Sequence, residues 1–104
     1  MTKEQVRIDF EKALAAVAIL EDAGETLHMA DGIHQEYLEI QRYCWQGESA
    51  QRFQNVGMQV GEEWIKRRDQ LLAIAEATRN AARRWYEAEM RAIEIIERRD
   101  YDVV

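Results

Sequence analysis

The sequence has no proline, five glycines and one cysteine. Proline and glycine are the strongest turn-makers, so a chain of 104 residues with so few of them cannot be a many-turned β protein. It favours few, long helices. A single cysteine, Cys44, rules out an intrachain disulfide and a thiolate metal cage. A free thiol suits folding in a reducing compartment, and only a bridge between two copies stays open. Long apolar runs are also missing. Ala13 to Leu20 is the longest candidate, with eight apolar residues, well short of the ~18 of a membrane span. Glu4, Asp9 and Glu11 precede it and Glu21-Asp22 follow, so it lacks the basic, acid-poor start of a secretory signal. It reads as a helix face, and any export is expected to bypass the general secretory route.

Positive charge is in short supply. The net charge is −6, and residues 1–47 hold nine acids against four bases. An acidic chain repels phosphate backbones, which argues against general nucleic-acid binding. With 47% hydrophobic and 33% charged residues the chain is neither disordered nor membrane-embedded, and its length fits one domain.

What is present is helical periodicity. Thr2 and Gln5 have the spacing of a capping box. Val6, Phe10, Ala13, Val17, Leu20, Gly24 and Leu27 then alternate steps of four and three, a heptad seam. After Leu27 the apolar line shifts to Ala30, Ile33, Tyr37, Ile40 and Cys44, a shortened step that would overwind a coiled coil locally. Gly24 and Gly32 bracket the shift, where either a bend or a close neighbour would use them. Helix 1 is expected over about residues 3–43, roughly 60 Å long.

The pattern stops at Tyr43-Cys44-Trp45-Gln46-Gly47-Glu48. Gly47 can take backbone angles other residues avoid, and Ser49 offers a hydroxyl to the amides of a new helix. A turn is expected at about 44–48 and helix 2 over about 49–98, with a short, polar, mobile end. The seam of helix 2 runs through Phe53, Gly57, Val60, Trp64, Arg67, Leu71, Ile74, Thr78, Ala81 and Trp85 towards Ile95. A second line beside it includes Ile65, Leu72, Ala75, Ala82 and Tyr86. Two stripes make a face wider than one neighbouring helix can cover. Isolated hairpins bury little surface per ordered residue. The all-α hairpin is therefore expected to dimerise into a four-helix bundle, with Val6, Phe10, Val17, Leu20, Val60, Trp64, Leu71 and Ile74 on its core or dimer face.

Trp45-Gln46-Gly47, the small pair Ser49-Ala50 and Phe53 fall near the middle of this two-helix chain. The arrangement resembles the WXG superfamily, the small helical-hairpin substrates of type VII (ESX-type) secretion typified by the early secreted antigenic target proteins. The resemblance extends over essentially the whole chain. It implies a homodimer or heterodimer, with a related hairpin protein or with the helical N-terminal domain of an LXG-type toxin. It implies folding in the bacterial cytoplasm and export without a cleaved signal peptide by a secretion ATPase. It also implies a composite export signal, the Trp45–Gly47 turn with Phe53 beside a partner's tyrosine followed four residues later by an acid. This sequence departs there. Met90 stands four places after Tyr86, whereas Trp85 and Glu89 have the aromatic-then-acid spacing. Trp85, Tyr86 and Glu89 form either a variant signal or a set of packing residues. In the second case the partner carries the signal and this chain is an escort.

Other constellations are weaker. Glu25/His28 and Asp31/His34 have the acid-x-x-His spacing of di-iron bundles, but both pairs lie on helix 1 and helix 2 supplies no inward carboxylate. No metal or cofactor is expected. Arg67-Arg68, Arg83-Arg84 and Arg98-Arg99 recur along helix 2 among acids, as on a solvated face. No nucleophile–base pair or phosphate loop is visible, so the chain reads as non-enzymatic. The alternative to a secretion role is a cytoplasmic coiled-coil adaptor that is not exported.

Overall fold

The computed structural model describes residues 1–103, with side chains through Asp100. It contains two helices, α1 (Lys3–Cys44) and α2 (Glu48–Val103), and no strand among the described residues. The fold is an antiparallel helical hairpin that reverses at the Trp-X-Gly sequence. None of the described helices is long and apolar enough to cross a membrane.

The start of α1 is capped as its sequence dictates. The Thr2 amide donates to Gln5 Oε1 at 2.9 Å, and the Gln5 amide donates back to Thr2 Oγ1 at 3.2 Å. Two of the amides that a helix start leaves without partners are thereby satisfied. The reversal differs in detail from the expected one. The amide of Gln51 donates to the Gly47 carbonyl at 3.0 Å, so Gly47 is the residue that opens α2. Ser49 lies inside the first turn and does not cap it. Gly47 has φ +112°, a conformation that L side chains avoid. The far end of α2 runs on to Val103, past the end expected near residue 98. The polar end expected to be mobile includes Tyr101 and Asp102, whose side chains lie outside the described residues.

Contacts divide the hairpin into two compact units, residues 1–19 with 74–104 and residues 20–73. In the first unit the enclosed residues are apolar. Val6, Val17 and Ala75 are fully enclosed, and the Phe10 and Tyr86 rings stack with centroids 4.6 Å apart. Lys3 Nζ closes the unit on Glu97 at 3.2 Å, a pair open enough to water to contribute only about 0–1 kcal/mol.

The second unit, which contains the turn, is built differently. Its seam does not shift after Leu27. The alternation of fours and threes continues through Asp31, His34, Leu38 and Gln41, and the line expected there, Ile33, Tyr37, Ile40 and Cys44, is exposed. On α2 the inward positions are Ala50, Gln54, Gly57, Gly61, Trp64, Arg68 and Leu71. Phe53, Val60 and Arg67 belong to the exposed side, as does Ile74 in the first unit. The reason is steric as well as polar. Gly57 lies so close to α1 that a Cβ on it would stand 2.5 Å from Leu38 Cδ2. Glycine at this point lets the helices approach, and the buried polar side chains bond locally across the narrow gap. Gly24, expected to serve either a bend or a close neighbour, admits Leu72.

Candidate functional site

Trp45 stands at the reversal, where its amide still donates to the Gln41 carbonyl at 2.9 Å and so prolongs the hydrogen bonding of α1 by one residue. Its ring lies 5.8 Å from that of Phe53, tilted by 51°. Both are partly exposed. The structure thus brings together the turn residues Trp45, Gly47 and Phe53. Trp85, Tyr86 and Glu89 belong to the other unit and are half-buried there. Tyr86 has a packing partner of its own, Phe10.

The turn opens onto a face that was not legible as such in the sequence. An α-helix advances about 100° per residue, so the residue before each seam position lies to one side of the seam and the residue after it to the other. Reversing a helix reverses its sense of rotation as seen by the viewer. In an antiparallel pair, the residues before the seam on both helices therefore share one side of the hairpin. The opposite side bears this out, since Gln35, Glu39 and Arg42 of α1 and Met58, Glu62 and Ile65 of α2 all follow seam positions and line one groove of about 480 Å³.

On the side before the seam lie Ile33, Tyr37 and Ile40 of α1 together with Phe53, Val56 and Val60 of α2. Ile33 is 67% exposed, Ile40 63% and Val56 58%, so none contributes to the intrachain seam. Leaving such side chains in water forgoes about 1.5–3 kcal/mol each relative to full burial. Contiguous exposed apolar patches of this kind mark interaction surfaces. The two sides of the unit thus differ in chemistry, one charged and grooved, the other apolar.

Between them runs a polar seam. Gln54 Nε2 donates to the Leu38 carbonyl at 2.8 Å and lies 3.5 Å from Gln41 Oε1. His34 Nε2 donates to the Gly57 carbonyl at 2.7 Å, and its ring sits 5.1 Å from that of Trp64. Asp31 Oδ2 accepts from Gln35 at 2.9 Å, while Asp31 Oδ1 and Gln54 Oε1 are enclosed without a protein partner. His28 Nδ1 accepts from Arg68 Nη1 at 2.9 Å. Both histidines flagged by the acid-x-x-His spacing are thus engaged across the seam. Among the described residues no three His, Cys, Asp or Glu side chains converge as a metal site would require. Of the paired arginines, Arg67 and Arg68 separate by face. Arg68 turns inward to His28, while Arg67 stays outside with Glu63 at 3.2 Å.

Comparison with known proteins adds no relative: the chain matches no family model, no curated protein and no solved structure.

Proposed function

We propose that this chain is a non-enzymatic interaction protein of the WXG type, a substrate or escort of type VII secretion that pairs with a second helical hairpin. The observation that carries the reading is the Trp45–Phe53 pair at the reversal, partly exposed and continuous with an uncovered apolar face. A packing tryptophan in a self-sufficient hairpin would be enclosed by its own chain. Here the turn and the face beside it offer one surface to another molecule. The partner is a further copy, a related hairpin or the helical N-terminal domain of an LXG-type toxin, and the pair is handed to the secretion ATPase. Trp85 and Glu89 retain the aromatic-then-acid spacing, yet the stacking of Tyr86 on Phe10 favours a packing role for this cluster. On this reading the export signal lies on the partner, and this chain is the escort.

The test is export from cells with an intact type VII machine. Trp45→Ala is expected to abolish export of the chain or its cargo while helicity and complex mass stay unchanged. Normal export of that variant would refute the role of the turn. The stacking of Tyr86 also suits a second reading, a coiled-coil adaptor that never leaves the cytoplasm. Complete retention of the wild-type protein and of everything it co-purifies with would decide for it.

A further inference from the structure

We propose that the groove beside the polar seam binds a small free alkylamine, its ammonium group seated on Asp31 and its carbon stem against Leu38, Met58 and Ile65. The groove lies inside the turn-containing unit, on the side away from the uncovered apolar face. The inference therefore stands apart from the export reading.

The first observation is an unmet carboxylate oxygen. Asp31 is only 6% exposed. Its Oδ2 accepts from Gln35 at 2.9 Å, whereas Oδ1 is enclosed and has no partner in the chain. Among the described residues no lysine or arginine forms an ion pair with it. Enclosed polar groups are nearly always hydrogen-bonded, and a carboxylate is best served by a charged donor.

The second is the space beside that oxygen. A Cβ on Gly61 would stand 3.1 Å from Asp31 Oδ1 and 3.7 Å from His34 Cδ2. Glycine keeps this spot clear. Gln35 also lines the groove, is exposed, and is held to Asp31 by one hydrogen bond. It is the movable cover through which a ligand reaches the carboxylate, and an ammonium that takes its place exchanges a neutral donor for a charged one.

The third is the chemistry of the walls. Asp31, Glu39 and Glu62 line the groove against one base, Arg42. Arg42 is eleven residues from Asp31, about 16 Å along the helix. Glu62 follows Gly61 and so shares the level of Asp31. His34 Nε2 donates to the Gly57 carbonyl, so in the neutral ring Nδ1 is an acceptor. The groups left to bind a ligand at this end are thus acceptors, which selects a cationic donor and rejects an anion. An ammonium is satisfied by a few such acceptors, and its stem suits the apolar part of the lining. A groove of about 480 Å³ is of the size that holds small molecules.

The experiment titrates n-butylammonium into the full-length, ¹⁵N-labelled chain and follows the amide shifts. Saturable binding at roughly millimolar concentration is expected, with the shifts centred on the groove residues of α1 and α2. Neither 1-butanol nor butyrate is expected to saturate. Lengthening the stem to hexylammonium is expected to tighten binding about threefold per methylene. Asp31→Asn is expected to weaken binding at least about tenfold, and Asp31→Leu to abolish it in a chain of undiminished helicity. Gly61→Ala fills the space beside Oδ1 and is expected to weaken binding as well. Glu36→Gln, outside the groove, is expected to change nothing. Absence of saturation, equal binding of butanol, or full affinity in both Asp31 variants would overturn the proposal. So would equal losses in Glu36→Gln and Asp31→Asn, which would show mere accumulation of cations around an acidic chain. A capped lysine dipeptide carries the same four-carbon ammonium on a backbone. Tighter binding of that dipeptide than of butylammonium would overturn the free amine in favour of a lysine side chain.

Discussion

The two units of this hairpin enclose different residues between their helices, although both leave isoleucines in water, Ile19, Ile74, Ile95 and Ile96 in the first and Ile33 and Ile40 in the second. Near the chain ends, Val6, Val17 and Ala75 are enclosed and Phe10 meets Tyr86, so hydrophobic surface is used within the molecule. Near the turn, the seam holds Asp31, His34, Gln41 and Gln54, and the isoleucines stand outside. A hairpin optimised to fold alone would put its largest apolar side chains between its helices. The turn unit does so fully at Leu38 and in part at Leu20, Leu27, Trp64, Ile65 and Leu71. The first unit thus has an apolar seam at Val6, Val17 and Ala75, and the second leaves the face beside its polar seam uncovered by its own chain.

The largest test of that contrast is a charge placed on the seam of the first unit and on the outer face of the second. Val17 is enclosed in the first, so Val17→Asp leaves an unpaired carboxylate in its seam and is expected to cost at least about 3 kcal/mol. Ile33→Asp in the second unit is expected to leave the stability of the isolated chain within about 0.5 kcal/mol, because Ile33 is already in water. Chemical denaturation followed by helicity compares the two. Equal losses would mean that the outer face of the turn unit is a core after all.

The polar seam gives the next two tests. Gly57→Ala forces a methyl against Leu38, and overpacking of that kind costs about 1–3 kcal/mol. Removing bulk opposite it should then compensate. The Gly57→Ala/Leu38→Ala double variant is expected to be more stable than the two single losses added together, and strict additivity would show that the close approach is not maintained in solution. Asp31→Leu acts in the other direction. It removes an enclosed carboxylate oxygen that has no protein partner, and Gln35, which loses its acceptor, is exposed. Replacing such a group by an apolar one is expected to raise stability by about 1 kcal/mol, read as a higher denaturation midpoint at unchanged slope. A fall instead would assign the Asp31–Gln35 bond a net stabilising role.

How much of this was legible in the sequence follows from the same contrast. Thr2 and Gln5 form the bonds their spacing implied, and α1 of the first unit follows its apolar line through Val6, Phe10, Ala13 and Val17. On α2 of that unit the expected seam loses Ile74, Ala81 and Ile95 to the exposed side, and the second line, Ala75, Ala82 and Tyr86, is the inner one. In the turn unit the hydrophobic pattern tracks the outer face, one residue ahead of the seam on both helices. Ala30, Ile33, Tyr37 and Ile40 stand where Asp31, His34, Leu38 and Gln41 were needed, and Phe53 and Val60 where Gln54 and Gly61 were. Apolar periodicity reports every face that avoids water, whichever molecule covers it. Unbroken continuation of the heptad count from Val6 was the signal that could have found the true seam, since it lands on Asp31, Leu38 and Gln41 without a stammer. Positions shared by both lines, Gly57, Trp64 and Leu71, were correctly placed for that reason.

The smallest expected effect concerns the reversal itself. Gly47 has φ +112°, and a Cβ there would meet nothing within 4 Å, so the barrier to substitution is backbone strain and not crowding. Gly47→Ala is expected to cost about 1 kcal/mol. The cost falls on the turn unit, whose thin seam has little to spare, and hydrogen exchange should therefore quicken near residues 41–51 and not near Val6 or Ala75. If the turn also serves as a recognition surface, the same variant separates geometry from chemistry. Trp45→Ala removes the ring but keeps the φ that Gly47 supplies, whereas Gly47→Ala keeps the ring and disturbs its tilted contact with Phe53. Loss of partner binding in the first variant alone would assign recognition to the indole, and equal loss in both would assign it to the way the turn holds that indole.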